Sequence, residues 1–342
     1  MLNAERLIYD LVSIASPSTQ ESDAVHYLVD WMRKNGYDQA YVDEAGNAVG
    51  IIGKGNRDIV LLGHIDTFGG FPPVYIKDRT LYGRGSVDAK GALCTFAAGA
   101  LQADLPDDVR VVVIGAVEEE VASSKGARYA ATQFQPALCI IGEPSGWDRI
   151  TLGYKGRLLI EWAWRGGLAH SAGVALSAPE HAIAYWEQVR AYVNRFNANI
   201  DSVFGQLDAT LQAINSGQDG AYGWCNMTIG FRLPPGVNPQ QLANDLANEN
   251  THAYGCEVAV VSDKNNPLSR ALRGAIRAQG GTPRFVYKTG TADMNVVAPI
   301  WNCPIVAYGP GDSALDHTPD EHLNLDEYLQ AINVLADTLA RL

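Results

Sequence analysis

Apolar residues recur along this chain of 342 residues in two different rhythms. Leu7, Ile8, Leu11 and Val12 fall at helical spacing, as do Val25, Leu28, Val29 and Met32, with Gly36 placed to stop the second run. That spacing predicts two opening amphipathic helices. Strand-like runs follow at residues 48–52, 59–62, 109–114 and 138–141, with a helical stretch over 89–101 between the second and third. The alternation predicts an α/β sheet domain. From Gly153 the texture changes. Residues 157–164 alternate like a strand with one exposed face, 179–196 and 239–248 read as helices, and 227–233 and 256–261 as further strands. Residues 153–262 are therefore expected to form a small α+β domain inserted into a sheet domain made of 1–152 and 263–342. The latter resumes with a helix over 268–278, a strand over 305–308 and a terminal helix over 325–342. No internal repeat, low-complexity tract or long linker interrupts this order.

Bulk composition narrows the function. A formal net charge of −12 argues against a protein built to hold nucleic acid or an anionic membrane, since both need a positive surface field. Cys94, Cys139, Cys225, Cys256 and Cys303 are odd in number, scattered and without Cys-x-x-Cys spacing. Neither a disulfide framework nor a thiolate metal site is expected, and the five read as small buried hydrophobes in a reducing cytosol. Glu5, Arg6 and Asp10 break up the first turns, and no apolar stretch reaches spanning length, so a cytoplasmic chain is expected.

Chemistry stands just past the apolar runs. Residues 60–63 lead into His64-Ile65-Asp66, 82–85 lead to Asp88, and 111–114 run into Glu118-Glu119-Glu120. Residues 140–142 end at Glu143, and 304–308 lead through a Gly-Pro-Gly turn to Asp316-His317. Taken singly, each has a plain structural reading. His64 serves as a core histidine beside a turn Asp, Asp88 as a helix N-cap, and the Glu triplet as a solvated loop. Together they gather two imidazoles and several carboxylates where an open α/β sheet collects its ligands. Nitrogen and oxygen donors of this kind suit zinc, cobalt or manganese, and a shared carboxylate can bridge a pair of ions.

These residues resemble the dinuclear zinc amidohydrolases grouped around acetylornithine deacetylase, succinyl-diaminopimelate desuccinylase and carboxypeptidase G. The resemblance rests on Gly-His-x-Asp at 63–66, Gly-Arg-Gly-x-x-Asp-x-Lys-Gly at 83–91, the acidic run, Gly-Glu-Pro-Ser at 142–145 and the late His317. It implies a mixed-sheet catalytic domain carrying two divalent metal ions, with His64, Glu120, Glu143 and His317 as terminal ligands and Asp88 as the bridge. Asp66 would stand behind His64, and Glu119 would be the general base. The group usually has Asp-Glu-Glu followed shortly by Gly, whereas this chain has Glu118-Glu119-Glu120-Val121-Ala122. Glu118 as base with Glu119 as ligand therefore stays open.

By the same resemblance the inserted domain is a dimerisation lid in a homodimer, and His170, in Gly-Gly-Leu-Ala-His-Ser at 166–171, reaches the other subunit's active site as an oxyanion donor. His181 stands where the group usually has Asn and is given no role. Asn226 and Arg232 resemble positions that handle the substrate carboxylate. The stretches 118–128, 288–295 and 308–313 are most similar to the branch that releases lysine or ornithine from a small acidic amino-group carrier protein, in lysine and arginine biosynthesis. That places Lys288, Gly290 and Thr291 near substrate. Arg149, Lys155, Arg157 and Arg165 face only Glu161 in the stretch 149–165, so a basic surface including Lys155 and Arg157 is expected to steer the acidic carrier. Deacetylation of a free acetylated amino acid, a catalytically silent binding homologue and phosphoester hydrolysis are the rival readings.

Overall fold

Contacts in the computed structural model, which describes residues 3–168 and 175–342, divide the chain into two units. One comprises Met1–Gly153, Ser262–Tyr287 and Ala292–Leu342, the other Tyr154–Val261 with Lys288–Thr291.

In the first unit, sheet strands lie in the order Gln39–Val42, Ala48–Ile52, Val109–Ala116, Arg57–His64, Leu138–Gly142, Ile305–Tyr308 and Arg149–Tyr154. The four from Val109–Ala116 to Ile305–Tyr308 are parallel and the pairings outside them antiparallel, so the sheet is mixed. Ile59 to Leu62 and Val111 to Ile114 are fully buried. A strand covered on both faces has no wet side, which is why these segments read as unbroken apolar runs. The helix Lys90–Gln102 lies hard against the sheet. A Cβ on Gly142 would come 2.9 Å from Phe96 Cε2 and 3.0 Å from Gly63 Cα, an approach that only glycine permits.

Register brings the ends of these strands level. His64 pairs with Ala116, Gly63 with Gly142, and Tyr308 with Gly142. The segments that follow therefore leave from one edge, the carboxyl edge where α/β sheets build sites. A small sheet that no apolar run announces joins His322–Asn324 to Thr80–Tyr82 and that strand to Tyr75–Lys77. It holds the chain just after His317 against the chain just before Asp88.

The second unit is a four-stranded antiparallel sheet in the order Asp208–Asp219, Tyr222–Leu233, Gly156–Gly167, Thr251–Glu257. Alternate residues Leu158, Ile160 and Trp162, with Cys225, Met227, Ile229 and Phe231, turn inward onto Ala182, Tyr185 and Val189 of the helix Ala178–Asn197. That helix starts at a capping box in which Glu180 accepts from the Ser177 N–H at 2.7 Å.

Two expectations need correction. Cys94, Cys139 and Cys225 are buried, but Cys256 is exposed and Cys303 only partly covered; Cys256 turns outward on the strand Thr251–Glu257. The expected basic surface also loses Lys155. Lys155 is fully buried, its ammonium donating to Asp208 at 2.6 Å and to the Gln206 carbonyl at 2.8 Å. Arg165 pairs with Asp219 at 2.8 Å. Among the described residues, no helix is long and apolar enough to cross a membrane.

Candidate metal centre

His64 ends a buried strand and is itself 1 % exposed. Its Nδ1 faces the main-chain oxygen of Asp66 at 3.0 Å, and its Nε2 faces Asp88 at 3.2 Å with Glu143 at 3.9 Å. Across Asp88, the other carboxylate oxygen lies 3.1 Å from His317 Nε2, which also meets Glu120 at 3.0 Å. Two donor groups thus share one residue: His64, Asp88 and Glu143, and Asp88, Glu120 and His317, each with its ligand atoms within 4.8 Å of one another. Bonds of about 2.0 Å at tetrahedral angles put ligand atoms roughly 3.3 Å apart. The spacings observed bracket that value, and the donors are the nitrogen and oxygen types zinc accepts. These residues fit a pair of divalent ions.

Asp66 organises the acidic run rather than gripping the imidazole alone. Its carboxylate lies 3.5 Å from His64 Nδ1, accepts the N–H groups of Glu119 and Glu120 at 3.0 Å each, and takes the Ser18 hydroxyl at 2.7 Å. Glu118 turns the other way at a φ of 60°. Its carboxylate accepts from the Ser123 hydroxyl at 2.6 Å and lies 3.8 Å from the Lys125 ammonium. Of the three glutamates, Glu120 joins a donor group, and Glu119 belongs to neither group while sensing His64, Glu143 and Glu120.

So much negative charge under cover moves the titrations. Burial pushes the Glu119 and Glu143 carboxyls well above their usual range, against the opposing pull of His64, with neighbouring carboxylates adding to the rise. Burial also raises Glu120, opposed by its bond from His317. Bonds to Asp88 and Glu120 lift His317 from 6.5 to about 10. For His64, burial acts downward but is outweighed by Asp66 and Asp88, leaving it well above its usual value. Asp88 goes the other way, because bonds from His317 and His64 outweigh its burial.

The sign for the metal-free protein follows. Groups raised on folding stabilise fully below their unfolded values, 4.5 for the glutamates and 6.5 for the histidines, and lose that contribution as pH climbs through the folded ones. For His317 the window runs from 6.5 to about 10. Asp88 and Asp66, whose carboxyls are lowered, act oppositely, and lose their contribution only as pH falls below the ordinary carboxylate range. Chelator-treated protein is therefore expected to melt lower at about pH 9 than at about pH 6, with divalent metal narrowing the gap by supplying the missing positive charge. Melting curves under the four conditions check this, and equal midpoints in chelator would refute it.

Two contributors carried no sequence signal of their own. Phe68 stacks its ring on His317 at 4.4 Å. Asp293, buried at the start of the helix Asp293–Trp301, adds to the rise of both Glu119 and Glu143.

Residues expected near substrate gather within the second unit. Arg232 donates to the Thr291 hydroxyl at 2.6 Å, Thr291 to the Lys155 carbonyl at 3.3 Å, and the Lys155 N–H to the Lys288 carbonyl at 3.2 Å. Arg232 and Gly290 line a pocket of about 580 Å³. Arg157 pairs in register with Arg232. Asn226 instead lines a separate pocket of about 340 Å³ with Trp164 and Trp224. His181 stacks on Trp164 at 4.4 Å. His170 lies outside the described residues.

Known proteins resemble this chain along nearly its whole length. A Deinococcus radiodurans protein named as a LysW-lysine hydrolase is 49% identical over 99% of this chain and 97% of its own. A Thermococcus kodakarensis protein, provisionally named as a LysW-lysine/LysW-ornithine hydrolase, is 42% identical over 97% of this chain and 90% of its own. The crystal structure of an M20-family metallo-carboxypeptidase from Sulfolobus solfataricus has the same fold, with a TM-score of 0.81 over 99% of both chains at 18% identity. Residues 60–341, which contain every ligand candidate, match peptidase family M20/M25/M40. On that match the chain belongs to the M20/M25/M40 peptidases and is a metal-dependent hydrolase.

Proposed function

We propose that this protein hydrolyses the amide joining lysine, or ornithine, to the terminal glutamate side chain of a small acidic amino-group carrier protein, as a step of lysine or arginine biosynthesis. The chemistry rests on one observation, the two donor groups that meet at Asp88. The substrate rests on relatives that match the chain almost end to end and whose names specify LysW conjugates.

His64 and Glu143 would hold one ion and Glu120 and His317 the other, with Asp88 between them; zinc suits this donor set, and cobalt or manganese would be accepted. Bound ions would polarise the amide carbonyl and acidify water. Glu119, close to both groups and a member of neither, would take the proton of the attacking water and return it to the departing amine. A carboxyl raised by burial is suited to both halves of that task. The reading includes a homodimer in which His170 of one subunit steadies the oxyanion at the other's site, supported by the Gly-Gly-Leu-Ala-His-Ser motif.

Metal-loaded protein should be assayed on the carrier conjugates of lysine and ornithine beside acetyllysine and acetylornithine. The expected result is a kcat/KM at least tenfold higher on a conjugate. Comparable efficiency on an acetylated amino acid would assign the protein as a deacetylase, and silence on all four would leave a binding homologue.

A further inference from the structure

We propose that Arg84 and Glu321 form a positioning clamp that fixes the distance between Asp88 and His317; the proposal rests on the two-ion reading of the site. Both side chains are buried and meet at 2.6 Å. One Glu321 oxygen accepts from Arg84, and the other accepts the N–H groups of Val87 at 3.0 Å and Asp88 at 3.1 Å. Arg84 in turn donates to the main-chain oxygens of Thr318 and His317, each at 3.2 Å. The Glu321 carbonyl closes the arrangement by accepting the Gly83 N–H at 3.1 Å. A single ion pair therefore grips the backbone of Asp88 with one member and the backbone of His317 with the other.

Stability alone is a poor reason to bury such a pair, because apolar side chains of similar size usually serve as well. What a guanidinium adds is a planar fork that holds several acceptors in fixed directions. His317 needs that hold more than His64 does. Its backbone lies at a φ of 62°, a region that side chains other than glycine enter at a cost and keep only when their surroundings insist. Its ring is 43 % exposed and follows no strand, whereas His64 is fixed by a buried strand. The two ion sites are thus supported differently. His64 and Glu143 follow sheet strands, while the spacing of His317 to Asp88 depends on the clamp. A ligand misplaced by about half an ångström is enough to spoil a metal site.

The test uses Arg84→Lys, which keeps the charge but not the fork, Glu321→Gln, and the double variant Arg84→Met with Glu321→Met, which leaves no buried charge. Each metal-free protein is checked for folding by circular dichroism, then titrated with Zn²⁺ against a competing chelator. Two ions should bind the parent. In Arg84→Lys, which loosens the hold on the His317 backbone and keeps that on Asp88, one of the two should bind 10- to 100-fold more weakly, the scale seen when supports behind metal ligands are removed, with the other little changed. The variants that alter Glu321 also disturb Asp88, which is in both donor groups, and should weaken both. At saturating metal, kcat should fall with KM unchanged. Parent-like binding of both ions by folded Arg84→Lys would overturn the clamp. So would its recovery in the double variant, which would reduce the pair to charge compensation; that variant also decides the matter if a single variant fails to fold. A parent that binds fewer than two ions would instead remove the two-ion reading itself.

Discussion

Glu119→Gln is expected to lower kcat by a factor on the order of 10² to 10⁴, the usual scale for losing a general acid–base, while retaining both metal ions. Glutamine cannot take the proton of the attacking water or hand one to the departing amine. It can occupy the same space, and Glu119 is in neither donor group, so metal content should stay at the parent value. Glu118→Gln serves as the contrast, since that carboxylate is engaged by Ser123 and Lys125 and near-normal turnover is expected. The reverse pattern, with Glu118 essential and Glu119 dispensable, would shift the base by one residue. The same variant probes the shared site. Subunits carrying Glu119→Gln, exchanged with subunits carrying His170→Ala, should regain activity, because one site in each mixed dimer then combines an intact Glu119 with the other subunit's intact His170. Confirmed mixed dimers without activity would argue that each subunit works alone.

Asp88→Ala should be more damaging, because it removes a ligand from both groups at once. Neither ion is expected to bind at parent affinity, and activity should fall by roughly a thousandfold or more, equivalent to about 4 kcal/mol of lost transition-state stabilisation. His64→Ala and His317→Ala offer the comparison, each expected to weaken one ion more than the other. Metal titration of the three proteins decides. If Asp88→Ala still held one ion with unchanged affinity, the aspartate would belong to one site only and the bridge would be wrong.

How much of this could be read in the sequence depended on how each element meets water. The parallel strands were legible because burial on both faces leaves unbroken apolar runs, and most of the ligand candidates were legible because they stand where those runs stop. The strand Asp208–Asp219 was not, since all of its residues are wholly or partly exposed and no alternation marks them. Missing it had a further effect. Asp208 and Asp219, which neutralise Lys155 and Arg165, sit on that strand, and without them the stretch 149–165 looked like a basic surface. The three adjacent glutamates could not be told apart by residue type. They separate through the Asp66 carboxylate, which takes the N–H groups of Glu119 and Glu120 but not of Glu118. Glu321 left no local trace, because it matters only once the short strand His322–Asn324 pairs with Thr80–Tyr82.

The strand Leu138–Gly142, which leads to Glu143, has Arg57–His64 on one side and Ile305–Tyr308 on the other. During synthesis its first neighbour already exists, but the second is made about 160 residues later, a delay of roughly 8 to 30 seconds at ordinary elongation speeds. For that interval a wholly apolar strand edge stands open on the nascent chain, with the whole second unit emerging from the ribosome in between. An open edge of this kind invites pairing with other chains. The order in which this protein is made therefore leaves Glu143 on an unfinished sheet until the last tenth of the chain arrives, and slow translation through the inserted unit lengthens that exposure.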